Sequence, residues 1–329
     1  MPDSAEPRSG ALRALLHRLG PLLVVLVFAS AAVLLYRQVS GYSIEEIRKA
    51  ILKVPRTRIV LSCILTVFNY AVLIGYDVLA VKSVAHPLPL RRVALASFTG
   101  FATSYSFGAL LGGGSVRFRL YSAWGLTPGE IVQLVVILGV TFWFGVFALA
   151  GVIFIIHPFP ISSDIGADLH LPFDTTFPLG FPLILMAAAY LLVTAAWKKP
   201  INIGGKPVKL PGFRMSAAQL AVAAGDLVVA AECFHVLFPP GSVSYLDFLG
   251  IYLLAIVVVV LSHVPGGVAV FDVIILKMCP VAQKEAVLAA ILLFRVIYYL
   301  LPLLAAAALL SIYELRLRSA AFRRLLGKE

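Results

Sequence analysis

The stretch from Phe107 to Leu126 reads FGALLGGGSVRFRLYSAWGL, and it decides how the chain around it is interpreted. It places three consecutive glycines, Gly112–Gly114, and two arginines, Arg117 and Arg119, between segments that are apolar enough for a membrane interior. Glycines weaken a helix and let the backbone approach another element closely. A charge at the bilayer centre costs about 3 kcal/mol or more. The stretch therefore predicts a broken membrane helix in which the positive charge has a specific use.

The composition of the whole chain supports a membrane location. Of its 329 residues, 61% are hydrophobic and 13% are charged, and the mean hydropathy is +0.98. Such values are typical of polytopic membrane proteins and exclude ordinary soluble domains of this length. The net charge of +11 comes from basic residues in short connections between apolar runs. This distribution indicates membrane topology and attraction to anionic lipid, and it argues against a nucleic-acid partner.

Hydropathy divides the chain into crossings and interrupted segments. Six apolar runs are long enough to cross about 30 Å of hydrocarbon; they cover residues 20–36, 59–81, 130–156, 178–197, 216–238 and 286–312. Two further apolar stretches, 91–127 and 245–278, contain breaks at GGGS (Gly112, Gly113, Gly114, Ser115) and at SHVPGG (Ser262 to Gly267, with Pro265 and Gly266). Each stretch predicts a helix, a break and a half-helix.

These features recur at a nearly constant spacing. Segment starts at 20, 59, 91 and 130 are followed by starts at 178, 216, 245 and 286, which gives differences of 158, 157, 154 and 156. We therefore expect an all-α polytopic membrane domain at 20–312 that contains two repeats, 20–156 and 178–312. Each repeat has three crossings and one broken or re-entrant helix. Because the number of crossings is odd, the repeats should have inverted topology, as in many secondary transporters.

Charged connections predict the orientation. The connection Lys198–Met215 and the tail 313–329 are basic and should be cytoplasmic, as should the N-terminal tail 1–19, whereas Pro158–Phe177 carries three Asp without Lys or Arg. This predicts a multi-pass membrane protein with both termini in the cytoplasm. The basic segment 37–58 is the exception, because it falls outside in this arrangement. Within it, Ser43–Lys53 predicts an amphipathic interfacial helix.

A few ionisable side chains remain inside or directly beside apolar segments: Asp77, Arg117, Arg119, Asp226, Glu232, Asp272 and Arg295. Each is expected to face a polar cavity or a partner. The alternative is that they pair with one another or with backbone groups, or that they reach an interface. Near helix ends, Asp77 and Arg119 fit both interpretations. Well inside the second repeat, Asp272 and Arg295 favour function, and a salt bridge between them is compatible with either interpretation.

The glycine break and Arg117 together predict an anion site. Free N–H groups at the start of the next half-helix attract anions, and a guanidinium is a planar donor suited to phosphate. Tyr121 lies four residues after Arg117 and shares its helical face, whereas Arg119 points away. The alternative is that the glycines only permit helices to cross and that the arginines anchor the cytoplasmic edge.

Metal and cofactor chemistry is not predicted. Glu232 and His235 share a helical face, a spacing that occurs in di-metal bundles, but such a site needs further ligands and only His263 is available nearby. Polar pairing within the bundle is therefore the preferred interpretation. No nucleotide, hydrolase or zinc-protease motif occurs in the sequence, so we expect no cofactor.

Four segments resemble a known family: LLGGGSVRFRLYSAWGLTPGEI, VTFWFG, LSHVPGGVAVFDVIIL and AAILLFRVIYYLLP. They are similar, in the same order from Asn69 to Pro302, to the N-terminal membrane domain of the bacterial aminoacyl-phosphatidylglycerol synthase and flippase. This family is also called multiple peptide resistance factor or phosphatidylglycerol lysyltransferase. In this resemblance, Asp77, Arg117 and Asp272 match polar positions regarded as functional.

The resemblance implies a location in the bacterial inner membrane and transfer of lysyl- or alanyl-phosphatidylglycerol from its inner to its outer leaflet, which reduces binding of cationic antimicrobial peptides. Family members attach the aminoacyl group with a separate soluble domain that this sequence lacks, so we do not expect this chain alone to synthesise the lipid. The sequence is compatible both with a truncated chain and with a stand-alone relative.

Three functions follow from these observations. The first is a lipid flippase whose candidate residues are Asp77, Arg117, Arg119, Tyr121, Asp226, Glu232, His263, Asp272 and Arg295, with helix breaks at Gly112, Gly113, Gly114, Pro265, Gly266 and Gly267. Its partners would be anionic and aminoacylated phospholipids. The second is an ion-coupled transporter of a small solute. The third is an anchor or scaffold for a separate lipid-modifying enzyme, and a separate synthase or a second copy of the chain stays compatible as a partner.

Overall fold

The computed structural model describes residues 44–84, 86–162, 165–166, 172–197, 201–203, 206–208, 211–261, 268–281 and 284–325. Several predictions lie outside these residues: the N-terminal tail 1–19, the first crossing at 20–36, and the break at Ser262–Gly267 with His263, Pro265, Gly266 and Gly267.

All described membrane segments are helical. The first half contains α1 (Ile44–Lys53), α2 (Arg56–Ser83), α3 (Leu90–Phe107), a π-helical segment (Ala109–Gly114), α4 (Ser115–Ala123) and α5 (Pro128–Ile156). The second half contains α6 (Phe177–Ala196), strands β1 (Ile201–Ile203) and β2 (Lys206–Val208), α7 (Phe213–His235), α8 (Tyr245–Leu261), α9 (Val268–Met278), α10 (Lys284–Phe294), a second π-helical segment (Arg295–Leu300) and α11 (Leu301–Leu325). The two strands form a small antiparallel hairpin in the basic connection between α6 and α7.

The all-α polytopic class is confirmed. Within the described residues, five helical stretches are long and apolar enough to cross a membrane: Arg56–Ser83, Pro128–Ile156, Phe177–Ala196, Phe213–His235 and Lys284–Arg316. They coincide with five of the six predicted crossings. Large apolar side chains on their outer surfaces, such as Ile64, Val67 and Leu185, are more than half exposed. Exposure of this kind fits a surface that faces lipid.

The position of the first break differs from the prediction. The chain reverses at Gly108, which has φ +82°, four residues before the predicted break at Gly112. Such a backbone angle is readily adopted only by glycine. The run Gly112–Gly114 is helical and belongs to the π-helical segment. An added Cβ at Gly112 would overlap the Thr103 carbonyl, so this glycine lets the returning arm pack tightly against α3.

The segment 90–123 is a re-entrant hairpin, because both of its ends lie on the same face of the protein. His86 before α3 contacts Glu130 at the start of α5, with 3.6 Å between Nδ1 and Oε1. The start of α5 is fixed by a reciprocal cap, in which Thr127 Oγ1 accepts from the Glu130 N–H and the Glu130 carboxylate accepts from the Thr127 N–H. On the same face, Trp124 donates to the Tyr313 hydroxyl of α11 at 2.9 Å. We call this surface the His86 face.

The opposite surface, which we call the His157 face, contains the start of α2 and the ends of α5 and α7. Arg58 of α2 donates to the carbonyls of Val236 and Phe238, just after α7. His157 at the end of α5 contacts Asp247 of α8, with 2.8 Å between Nε2 and Oδ1. Helices α2, α5 and α7 therefore each run from one face to the other.

The second hairpin, α8 and α9, opens on the His157 face. Its first arm begins beside His157 at Asp247, and its second arm ends beside Ser162, whose N–H donates to Met278 Sδ at 3.4 Å. The first hairpin opens on the His86 face, so the two hairpins enter from opposite sides. This is the arrangement of inverted repeats. The predicted repeat boundaries, 20–156 and 178–312, stay a prediction.

Candidate functional site

The first buried charge pair joins α2 to the first hairpin. Arg117 of α4 donates through Nε to Asp77 Oδ1 at 2.9 Å and through Nη2 to Asp77 Oδ2 at 2.8 Å. Tyr121, one helical turn after Arg117, donates to Asp77 Oδ1 at 2.9 Å. All three side chains are buried. This two-bond geometry is the strong form of an arginine–carboxylate pair, and it ties the returning arm of the hairpin to α2.

Glycines on both hairpin arms make room for the Arg117 guanidinium. An added Cβ at Gly100 would lie 2.7 Å from Arg117 Cζ, and one at Gly113 would lie 2.9 Å from Nη1. The guanidinium also lies over the Phe101 ring, with Cζ 4.5 Å from its centroid. One glycine of the run before the arginine, Gly113, is therefore explained in part by the volume of this buried cation.

The groups predicted to bind phosphate meet protein partners in this structure. Arg117 is paired with Asp77, and the N–H groups of Gly112 and Gly113 donate to the Gly108 carbonyl at 3.0 and 3.4 Å. The contrast with Arg119 is as predicted: it points away and forms an ion pair with Glu314, 2.6 Å between Nη2 and Oε1, at the His86 face. Arg117 is thus the interior arginine, and Arg119 is the one at the edge.

A second polar cluster lies where α2 meets α7. Asp226 of α7 accepts from Asn69 Nδ2 at 2.8 Å and from the Tyr76 hydroxyl at 3.0 Å. Asn69 also donates to the Tyr298 hydroxyl of the second π-helical segment, and Tyr298 is 3.5 Å from the Tyr105 hydroxyl of α3. Hydropathy singled out Asp226 but missed its partners, because an amide or phenol inside an apolar helix carries no charge signal.

A third cluster is the pair of Asp272 and Arg295, a salt bridge that was compatible with both interpretations of the sequence. Arg295 Nη2 donates to Asp272 Oδ1 at 2.8 Å, and the guanidinium lies over the Tyr299 ring at 5.2 Å. Both side chains are largely buried. Among the described residues, Asp272 Oδ2 and Arg295 Nε have no hydrogen-bond partner. This pair is therefore incomplete, unlike the pair of Asp77 and Arg117.

Glu232 and His235 pair with each other at the end of α7, as the sequence interpretation preferred. His235 Nδ1 is 3.2 Å from Glu232 Oε2, and His235 Nε2 is 3.0 Å from the Val243 carbonyl. In the described part of the chain, no three side chains of His, Cys, Asp or Glu converge as metal ligands would. His263 lies outside the described residues.

Comparison with known proteins identifies the family. No protein-family model matches the chain. It is 36% identical over 278 residues to the uncharacterized protein slr0712 of Synechocystis sp., covering 83% of this chain and 85% of that protein. It is 30% identical over 290 residues to the inner membrane protein YbhN of Escherichia coli, covering 87% and 89%. The chain belongs to the YbhN family.

This YbhN-family chain is also similar to part of a lipid-modifying protein. It is 26% identical over 306 residues to phosphatidylglycerol lysyltransferase of Staphylococcus haemolyticus, covering 89% of this chain and 34% of that protein. For the Staphylococcus aureus protein the values are 25% over 291 residues, 87% and 33%. The chain thus spans about a third of the length of these proteins, and the resemblance seen in its motifs is confirmed. With its apolar helices, it is a multi-pass membrane protein.

Proposed function

We propose that this protein moves aminoacylated phosphatidylglycerol from the inner to the outer leaflet of the bacterial plasma membrane and so contributes to resistance against cationic antimicrobial peptides. Three features support the proposal. The chain is similar to part of a phosphatidylglycerol lysyltransferase, its re-entrant hairpins open on opposite faces, and charges of both signs lie in its interior.

The incomplete pair of Asp272 and Arg295 is the observation that carries the proposal. Unpaired polar atoms inside a membrane protein are costly, so they favour a site for a polar ligand. A lysyl or alanyl head group combines a phosphate with an ammonium group. Arg295 Nε is a donor suited to the phosphate, and Asp272 Oδ2 is an acceptor suited to the ammonium.

Arg117 acts in another conformation in this proposal. Its guanidinium is held by Asp77 in the described structure. If the first hairpin moves away from α2, the guanidinium exchanges the carboxylate for the lipid phosphate, because both are oxyanions that fit its planar donors. Asp77 is then free to accept the ammonium group, so the two pairs handle the same head group at different stages.

The distribution of basic residues supports a cytoplasmic His86 face. Lys82, Arg91, Arg92 and Arg119 lie near the helix ends on this side, in agreement with the excess of positive charge in cytoplasmic segments. On the His157 face, Arg58 has a structural use, since it binds carbonyls just after α7. A cation is favourable at the C-terminal end of a helix. This accounts for Arg58, one of the basic residues in the segment 37–58 that falls outside in the predicted orientation.

The test is lipid transfer by the purified chain in vesicles. We expect lysyl-phosphatidylglycerol to move faster than phosphatidylglycerol, and Asp272→Asn and Arg295→Gln to abolish the difference. Asp247→Asn is the matched control, since this carboxylate is partly exposed at the His157 face. The assignment would be contradicted if wild type and all three variants moved lysyl-phosphatidylglycerol faster than phosphatidylglycerol by the same factor. Absence of transfer by folded wild-type protein would favour an anchoring function instead.

A further inference from the structure

Of the buried acids that the structure describes, Asp226 is the one without a cation. Asp77 is paired with Arg117 and Asp272 with Arg295, whereas none of the described residues forms an ion pair with Asp226. Its side chain is nonetheless almost completely buried between α7 and α2. An ionised carboxylate without a cation is strongly unfavourable in such a place.

The groups that surround Asp226 are neutral at ordinary pH. They come from α2, α3, α7, α8 and the second π-helical segment, and those that interact electrostatically with its carboxyl group are Tyr70, Tyr76, Tyr105, Cys233, Tyr252 and Tyr298. Two other charged residues lie on α7: Arg214 is in its first turn, twelve positions before Asp226, and Glu232 is an acid that points to His235 near the end of the helix. Among the described residues, the surroundings of Asp226 therefore supply no positive charge that would stabilise its ionised form.

The hydrogen-bond network of the cluster leaves one buried acceptor without a donor. Each carboxyl oxygen of Asp226 has one partner, Asn69 Nδ2 or the Tyr76 hydroxyl, while Asn69 Oδ1 is buried and has no partner among the described residues. The oxygen–oxygen distance of 3.0 Å between Asp226 and Tyr76 suits donation in either direction, because a hydroxyl both donates and accepts. A hydrogen on Asp226 Oδ2 thus has an acceptor already in place.

A metal ion fits this cluster poorly. Metal ions of the alkali and alkaline-earth type need several oxygen ligands at once. Asn69 turns its amide nitrogen, a donor, toward the carboxylate, and the same nitrogen contacts Tyr298. A proton needs only one oxygen and one acceptor, and both are present.

We infer that Asp226 binds a proton in this conformation and that the contact between α2 and α7 is a proton site of the protein. The inference goes beyond the proposed lipid substrate and does not depend on it. The site lies between the two halves of the chain, so any movement that separates α2 from α7 exposes the carboxyl group to water and releases the proton. Protonation then favours the conformation described here, and deprotonation favours separation of the halves.

Infrared spectroscopy of the full chain in lipid bilayers tests this directly without substrate. A protonated carboxyl group has a C=O stretching band that is separate from the bands of carboxylates. At neutral pH we expect the wild-type protein to show such a band and Asp226→Asn to lose it. Tyr76→Phe should keep the band but shift it, because one hydrogen bond to the carboxyl group is gone. Asp247→Asn, the control at the membrane edge, should leave it unchanged.

Two results would overturn the inference. One is a wild-type spectrum with the same protonated-carboxyl intensity as Asp226→Asn. If that variant does not fold, the equivalent result is a band whose frequency is the same in wild type and in Tyr76→Phe. The other is a response of the Asp226 bands to sodium but not to potassium at fixed pH, which would identify a metal ion as the occupant. Neither outcome depends on lipid transfer, so failure of the proton site and failure of the proposed function are distinguishable.

Discussion

Asn69 and Asp226 are 157 positions apart in the chain and share a hydrogen bond of 2.8 Å between α2 and α7. The starts of corresponding apolar segments differ by 154 to 158 positions. Under the predicted repeats, these two residues occupy equivalent positions of the two halves, and the structure places them in contact. Contact between equivalent positions is expected on the axis that relates two repeats. The polar cluster at α2 and α7 thus lies where the two halves of the molecule join.

Removal of Arg117 should be strongly destabilising. Arg117→Ala leaves Asp77 as a buried carboxylate without its cation, and breaking a buried pair in this way costs about 3–5 kcal/mol. Arg117→Lys should recover little of this, since an ammonium cannot make the same two parallel bonds. The measurement is thermal unfolding of purified protein in one detergent. The double variant Asp77→Leu, Arg117→Met should be less destabilised than Arg117→Ala, and strict additivity of the two changes would contradict a buried pair.

Arg119 offers a contrast on the same helix. Its ion pair with Glu314 is partly exposed, with side-chain exposures of 36% and 24%. Pairs of this kind contribute between about 0 and 1 kcal/mol and weaken in salt. We therefore expect Arg119→Ala to lower the unfolding temperature only slightly in the same assay. A loss as large as that of Arg117→Ala would show that the two arginines have been assigned to the wrong environments.

A methyl group at Gly113 should disturb the first hairpin. An added Cβ there would overlap Ser104 Oγ and the Gly100 carbonyl and would approach Arg117, so Gly113→Ala should cost about 1–3 kcal/mol, as overpacking usually does. Gly139 of α5 is the matched control, because its Cβ would have no neighbour within 4 Å. Unfolding of the two alanine variants should differ clearly. Equal stability would mean that the returning arm is not packed against α3 as described.

Cysteine labelling should place the two hairpins on opposite sides of the membrane. In a variant whose three native cysteines are replaced, Arg91→Cys reports on the His86 face and Ser242→Cys on the His157 face. A maleimide that cannot cross membranes should label only Ser242→Cys in intact cells, and both proteins after the cells are opened. The reverse pattern would invert the orientation proposed from the basic residues. Labelling of both from one side would contradict the arrangement of the hairpins.

Much of the architecture could be predicted because apolar runs report directly on helices that cross a membrane. The break was misplaced for a physical reason. Three glycines suggested a reversal, but the turn needs only Gly108, and the run Gly112–Gly114 serves close packing of the returning arm against α3. Hydropathy cannot separate these two uses of glycine.

The pairing of the site residues could be predicted only in part. A salt bridge between Asp272 and Arg295 was compatible with the sequence, since both residues lie well inside the second repeat. The bond from Arg117 to Asp77 joins separate helices, and nothing in the sequence ranks it above a contact with lipid. Asn69 was missed altogether, since its importance comes from facing Asp226 rather than from its own charge.

Because the hairpins open on opposite faces, the open end of each hairpin lies next to a different leaflet of the bilayer. A substitution near Gly108 alters the approach from one leaflet, whereas a substitution in α8 or α9 alters the approach from the other. Under the proposed function, the two groups of variants should therefore differ in sidedness, one failing to load lipid and the other failing to discharge it. An assay that records transfer in a single direction would not tell these two defects apart.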